Sequence, residues 1–83
     1  MKVISQDKTT EVDYQDSFFG IVIKPDPLYI GSHCGILYAT AHKTFERKQM
    51  GYFANADEAR IALIKIHSAA ARRYPSIWVH KRY

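Results

Sequence analysis

The chain has 83 residues, 47% of them hydrophobic, and a formal net charge of +4. That length admits one domain spanning 1–83 with a small core, and the composition excludes a disordered chain. One cysteine, Cys34, excludes an internal disulfide framework, and no apolar run approaches the ~20 residues of a membrane-spanning helix.

In chain order, Lys2 to Ser5 reads as a first strand and Gln6-Asp7-Lys8 as a turn. The opening meets Asp7 too early for the apolar core of a secretory leader, so a cytoplasmic setting without membrane attachment is expected. Glu11-Val12-Asp13-Tyr14-Gln15 alternates polar and apolar, as a half-exposed strand does, and Asp16-Ser17 breaks it. Phe18-Phe19-Gly20-Ile21-Val22-Ile23 is apolar on both faces and predicts a buried central strand. Pro25-Asp26-Pro27 ends that run, because proline donates nothing to a ladder. Leu28-Tyr29-Ile30 predicts a short further strand, and Gly31 to Gly35 a flexible turn region. Ile36 to Ala41 and Gln49 to Phe53 predict a hairpin whose tip, Lys43 to Lys48, is basic and carries Phe45.

Asn55-Ala56-Asp57-Glu58 has the pattern of a helix capping box. About eighteen residues without Gly or Pro follow, and Tyr74-Pro75 ends the helix. At 100° per residue, Ala59, Ala62, Leu63, Ile66, Ala70 and Tyr74 gather on one side, which predicts the face packed on a sheet. Ile61 and Ile64 lie off that stripe, nearer the polar side, and either cover a broad sheet or form a second apolar contact such as a homodimer interface. Ile77 to Lys81 then alternates as a short last strand, with Ile77 and Val79 on one face and Trp78 and His80 on the other. The expected architecture is α+β: a five- to six-stranded antiparallel meander, one C-terminal helix on one face, and a final short strand rejoining the sheet.

The charge is unevenly placed. Up to residue 55, Lys2, Lys8, Lys24, Lys43, Arg47 and Lys48 are balanced by Asp7, Glu11, Asp13, Asp16, Asp26 and Glu46. Beyond it, Arg60, Lys65, Arg72, Arg73, Lys81 and Arg82 face only Asp57 and Glu58. A localised positive field favours anionic partners, although the same pattern also serves solubility.

Catalytic and metal signatures are weak. His33, His42, His67 and His80 form no i,i+4 pair, and His33-Cys34 falls short of a four-ligand site. Cys34 reads as a small semi-buried residue. Asp57 and Glu58 are explained by the helix N-terminus, and the glycines follow no phosphate-loop pattern. The expectation is a non-enzymatic protein without metal or cofactor. Aromatic residues interleaved with cations remain: bases stack on rings, and guanidinium groups clasp phosphates. This pattern nominates a ligand-binding patch of Arg72, Arg73, Trp78, His80, Lys81 and Arg82, with a secondary basic loop of Lys43, Arg47 and Lys48. A small β core uses aromatic residues at the same alternating positions, which is the competing explanation.

The opening Met1-Lys2-Val3-Ile4-Ser5-Gln6-Asp7, the acidic Glu11-Val12-Asp13-Tyr14, the capped helix from Asn55 and the closing Ile77-Trp78-Val79 together resemble a group of short uncharacterised proteins. Phages and mobile elements of Gram-positive bacteria carry these proteins. The likeness covers about half the chain, mainly its ends; Lys8 departs from the glycine frequent in the group, and the hairpin from Gly35 to Phe53 is longer. The resemblance implies an α+β fold and a phage or mobile-element origin, and no mechanism. Together with the charge pattern it leads to an accessory protein, in the host cytoplasm, that binds a host component. The partner would be an anionic ligand such as a signalling nucleotide, held near a dimer seam at Ile61 and Ile64, or an acidic host protein surface. The alternatives are a small nucleic-acid-binding domain and an assembly protein without a ligand.

Overall fold

The computed structural model describes residues 1–25 and 31–80. Among the described residues, six strands and one helix follow in order: β1 (Lys2–Ile4), β2 (Glu11–Asp13), β3 (Ser17–Pro25), β4 (His33–Ala41), β5 (Arg47–Phe53), α1 (Ala56–Ala71) and β6 (Ser76–Trp78). A single 3₁₀ turn, Tyr14–Asp16, separates β2 from β3. The α+β class is as expected; the single meander is not. The strands form two three-stranded sheets, ordered β2-β1-β6 and β3-β4-β5.

Local reasons for the division are visible. The 3₁₀ turn follows β2 directly, with the Tyr14 N–H donating to Met1 O at 2.9 Å, so the chain turns away and β3 pairs with β4 instead. The last strand joins β1 in parallel, Val3 beside Ile77 and Ile4 beside Trp78, with α1 as part of the crossover that parallel pairing requires. Gln6 links the two sheets. Its N–H donates to Met50 O at 2.9 Å, and its side-chain amide both accepts from the Tyr52 N–H (2.7 Å) and donates to Tyr52 O (3.1 Å). The same amide nitrogen donates to His80 O at 3.1 Å.

Other element boundaries also differ from expectation. The strand foreseen as central, Phe18 to Ile23, lies in β3, which stands at the edge of its sheet. Gly31 to Gly35 is not all turn, because β4 begins at His33. Arg47 and Lys48 belong to β5, and the loop is tight: Ala41 N donates to Glu46 O and Phe45 N to Ala41 O, with Phe45 at φ 56°. The expected strand at Leu28-Tyr29-Ile30 lies outside the described residues.

Asn55 caps the helix: it is extended, and its Oδ1 accepts the Glu58 N–H at 2.9 Å, the first of the two bonds of the expected capping box. It ends earlier than Tyr74-Pro75. Arg73 adopts φ 60°, its N–H donates to Ala70 O, and the Tyr74 N–H donates to Ala69 O, both at 3.0 Å. These are the two bonds of a Schellman cap, with arginine in the left-handed position that glycine usually takes. The buried helix residues are Ala59, Ala62, Ile66 and Ala69, with Leu63 packed beside them; Tyr74, beyond the helix, is exposed. Small alanines let the helix lie close on β4, where Gly35 supplies the clearance.

The core joins Val3, Leu37, Ala39, Met50, Phe53, Ala59, Ala62, Ile66 and Val79. Met50 and Phe53 would point to opposite faces of a regular strand, and the bulge opposite Leu37/Tyr38 brings both inward. Among the described residues, no helix is long and apolar enough to cross a membrane.

Candidate functional site

Parallel pairing of β6 with β1 decides which way the indole faces. Val3 and Val79 are fully buried, and Ile77 packs against the same core. Alternation therefore sends Ile4, Trp78 and His80 to the opposite side. Trp78 is partly buried there; its Nε1–H donates to Gln6 O at 3.2 Å. The His80 ring lies 4.4 Å from the indole, tilted by 52°.

The cation beside the indole comes from the β1–β2 turn, not from the helix. Lys8 adopts φ 62° and holds its ammonium 4.5 Å from the ring centroid. A rigid turn presents it. Lys8 N donates to Ser5 O, Ser5 N to Thr10 O, and Thr10 N to Ser5 Oγ, at 2.9–3.1 Å. Within the turn, the Asp7 carboxylate accepts Ser5 Oγ at 2.7 Å, Thr9 Oγ1 at 2.7 Å and Thr9 N–H at 3.1 Å. Those bonds, led by the Ser5 hydroxyl, pull the Asp7 carboxyl from 3.8 down to about 2, so it stays ionised at neutral pH. Ile4, Lys8, Thr9, Thr10, Glu11 and Trp78 line an open groove of about 530 Å³. It offers an aromatic platform, one cation, one carboxylate and two hydroxyl side chains.

The nominated patch is divided. Trp78 and His80 lie together. Arg72 lines a separate groove with Lys65, Ser68, Ala69, Tyr74 and Ile77, on the helix side of β6. Arg73 is exposed and committed to the helix cap, while Lys81 and Arg82 lie outside the described residues. In the secondary loop, Lys43 and Lys48 are exposed and Arg47 stacks 4.1 Å over the Tyr38 ring. Ile61 and Ile64 are 39% and 62% exposed on the helix surface.

Sequence reasoning missed Lys8, Thr9, Thr10 and Glu11 as neighbours of Trp78, because the pairing that joins them spans some seventy positions and leaves no local signal. It also missed a second open groove of about 510 Å³, lined by Tyr14, Ser17, Phe18, Phe19, His42, His67 and others. There the Tyr14 hydroxyl and His67 Nδ1 share a hydrogen bond of 2.7 Å, and the Tyr14 and Phe19 rings stack at 5.7 Å. Among the described residues, no three metal-ligating side chains gather. No protein-family model, no curated protein and no solved structure matches the chain.

Proposed function

We propose that this chain is a non-enzymatic binding protein, of the phage or mobile-element accessory kind that its opening resembles. Its contact is the Trp78 groove, and its ligand is a nucleotide. The observation that carries this reading is the Lys8 ammonium held over an indole whose N–H is already tied to Gln6 O. An exposed cation–π contact is worth about 0.5–1 kcal/mol. A charge-assisted hydrogen bond to phosphate is worth about 1.5–3 kcal/mol, so the lysine leaves the ring for an arriving phosphate. The face of the indole that Lys8 leaves then accepts the base by stacking. Thr10 extends the phosphate contact, and Glu11 takes a ribose hydroxyl or an exocyclic amine. Sequestration of a signalling nucleotide would serve a protein that blunts a host defence.

The chain has one tryptophan, so its emission reports this groove alone. Titration with adenosine monophosphate, a cyclic dinucleotide and an oligothymidine should give saturable quenching for a nucleotide. Lys8→Ala should weaken it, whereas Arg72→Glu with Arg73→Glu, on the helix side, should leave it intact. Emission that stays flat with every probe would remove the proposal.

A second reading, a nucleic-acid binder, draws on Arg47 stacked over Tyr38 and on the half-exposed Tyr52 of β5, one residue type for phosphate and one for bases. It requires the oligothymidine to bind best, with affinity falling steeply as salt rises and with Lys43→Ala and Lys48→Ala each weakening it.

A further inference from the structure

The longest unpaired edge among the described residues is that of β3, and until Lys24 and Pro25 at its end it carries none of the features that normally protect an edge. Protected edges are short, bulged, or marked by lysine or proline. β2 is three residues long and carries Glu11 and Asp13, and the outer edge of β5 is engaged by Gln6. β3 runs nine residues, and from Ser17 to Ile23 it holds no charge, no proline and no bulge. Phe18 and Ile23 are 47% and 48% exposed. A strand apolar on both faces belongs inside a sheet.

The register tells which groups point outward. His42 N donates to Asp16 O in the same register as the β3–β4 pairs, so residues 16, 18, 20, 22 and 24 exchange their bonds with β4. Ser17, Phe19, Ile21 and Ile23 therefore turn their N–H and C=O groups away from the sheet.

We infer that β3 pairs antiparallel with β3 of a second copy, about a two-fold axis at Gly20, to give a continuous six-stranded sheet. In this register Phe19 opposes Ile21, Phe18 opposes Val22, Ser17 opposes Ile23, and Asp16 opposes Lys24. The outward N–H and C=O groups of Phe19 and Ile21 find partners, and the Ile23 N–H meets Ser17 O, while the Ser17 N–H closes the 3₁₀ turn. Each exposed Lys24 meets an exposed Asp16. Aromatic residues face β-branched ones, a favourable cross-strand pair. A two-fold axis at Ile21 instead would place Ser17 against Pro25, which has no N–H, and Lys24 against Phe18. The chosen register also supplies an occupant for the second groove. Ile23 of the second copy shares the face of Phe19 and lies opposite Ser17, at the mouth of the space lined by Tyr14, Phe19, His67 and Ala70. The interface is isologous and closed, so it yields a dimer and not a filament.

Gly20 makes the decisive test. A Cβ there meets nothing within 4 Å, and its φ is not positive, so a side chain is tolerated in the single chain. In the dimer, Gly20→Glu sets two carboxylates face to face at the axis, where non-hydrogen-bonded Cα atoms lie only about 4.5 Å apart. Sedimentation from low micromolar to millimolar concentration should give twice the monomer mass for the wild type. Gly20→Glu should give the monomer mass, and a melting curve that no longer depends on concentration and matches the wild type's where the wild type is itself dilute enough to be monomeric. Asp16→Lys should raise the dissociation constant roughly tenfold, from two lost pairs and two new repulsions. Asp16→Lys with Lys24→Asp should restore it. A wild type that stays monomeric at millimolar concentration overturns the inference. So does a dimer that survives Gly20→Glu, and one that Ile64→Asp alone dissociates would assign the seam to the helix.

Discussion

Gly35→Ala is the sharpest test of how the helix sits on the sheet. Gly35 lies on the helix-facing side of β4, and a Cβ built there falls 2.8 Å from Ala59 Cβ, 3.1 Å from Asn55 O and 3.3 Å from Ala56 Cα. Two of these atoms are backbone at the helix start, so no rotamer change relieves them, and the capped end of α1 must lift. Ala59 is fully buried, so lifting also opens the core. Overpacking of this kind costs about 1–3 kcal/mol. Replacing glycine returns about 0.4–1 kcal/mol by restricting the unfolded chain. The net loss is about 1–2 kcal/mol, against a total stability of about 4–12 kcal/mol for a domain of this size. Each kcal/mol moves Tm by about 4–8 °C, so calorimetry should record a fall of roughly 5–15 °C. Gly20→Ala is the control, because open space surrounds that position and Tm should hold or rise. Adding Ala59→Gly to Gly35→Ala should cost less than the two single losses together, since it removes the shortest contact. A Gly35→Ala protein that melts at or above the wild-type temperature would refute the close approach of α1 to β4.

Three further outcomes follow from the same geometry. Arg73→Gly should raise stability by about 1 kcal/mol in chemical denaturation, because φ 60° penalises any side chain at the helix cap. Gln6→Ala should cost about 1–3 kcal/mol, since it removes the amide bonds that tie β1 to Tyr52 and His80, and the loss should appear as a lower denaturant midpoint. Acid unfolding should register Asp7. Its carboxyl sits at about 2 in the folded chain against 3.8 ordinarily, so the unfolded state takes the proton first as pH falls. The stabilisation is full above about pH 4 and is lost as pH drops through about 2, and Asp7→Ala should flatten the stability profile across that window.

Much of the candidate site was hidden for a definable reason. Trp78 and His80 were legible as one face of a strand because alternation is a local rule, and Ile77 and Val79 do face the core. Arg72 and Arg73 were joined to them only by proximity in the chain. Both sit at the end of the helix, and Arg72 lines a groove on the side of β6 away from Trp78. Lys8 takes the position by the indole that those arginines were expected to hold. The Gln6 bridge was equally silent, because an amide side chain pairing with a distant strand leaves no periodicity.

The residue order alone determined the elements whose hydrogen bonds close within a few positions: the Asn55 cap, the amphipathic helix, the turn at Gln6-Asp7-Lys8 and the β4–β5 hairpin. It did not decide which strand edges meet. The pairing of β1 with β6 and the separation into two sheets arise from contacts across tens of residues, whose loop-closure cost local patterns do not encode. The placement of β3 shows the same limit: apolar residues on both faces do not tell whether a strand lies in the middle of a sheet or at its edge, because the backbone partners come from distant parts of the chain. Only the folded arrangement shows β4 on one side of β3 and, among the described residues, open backbone on the other.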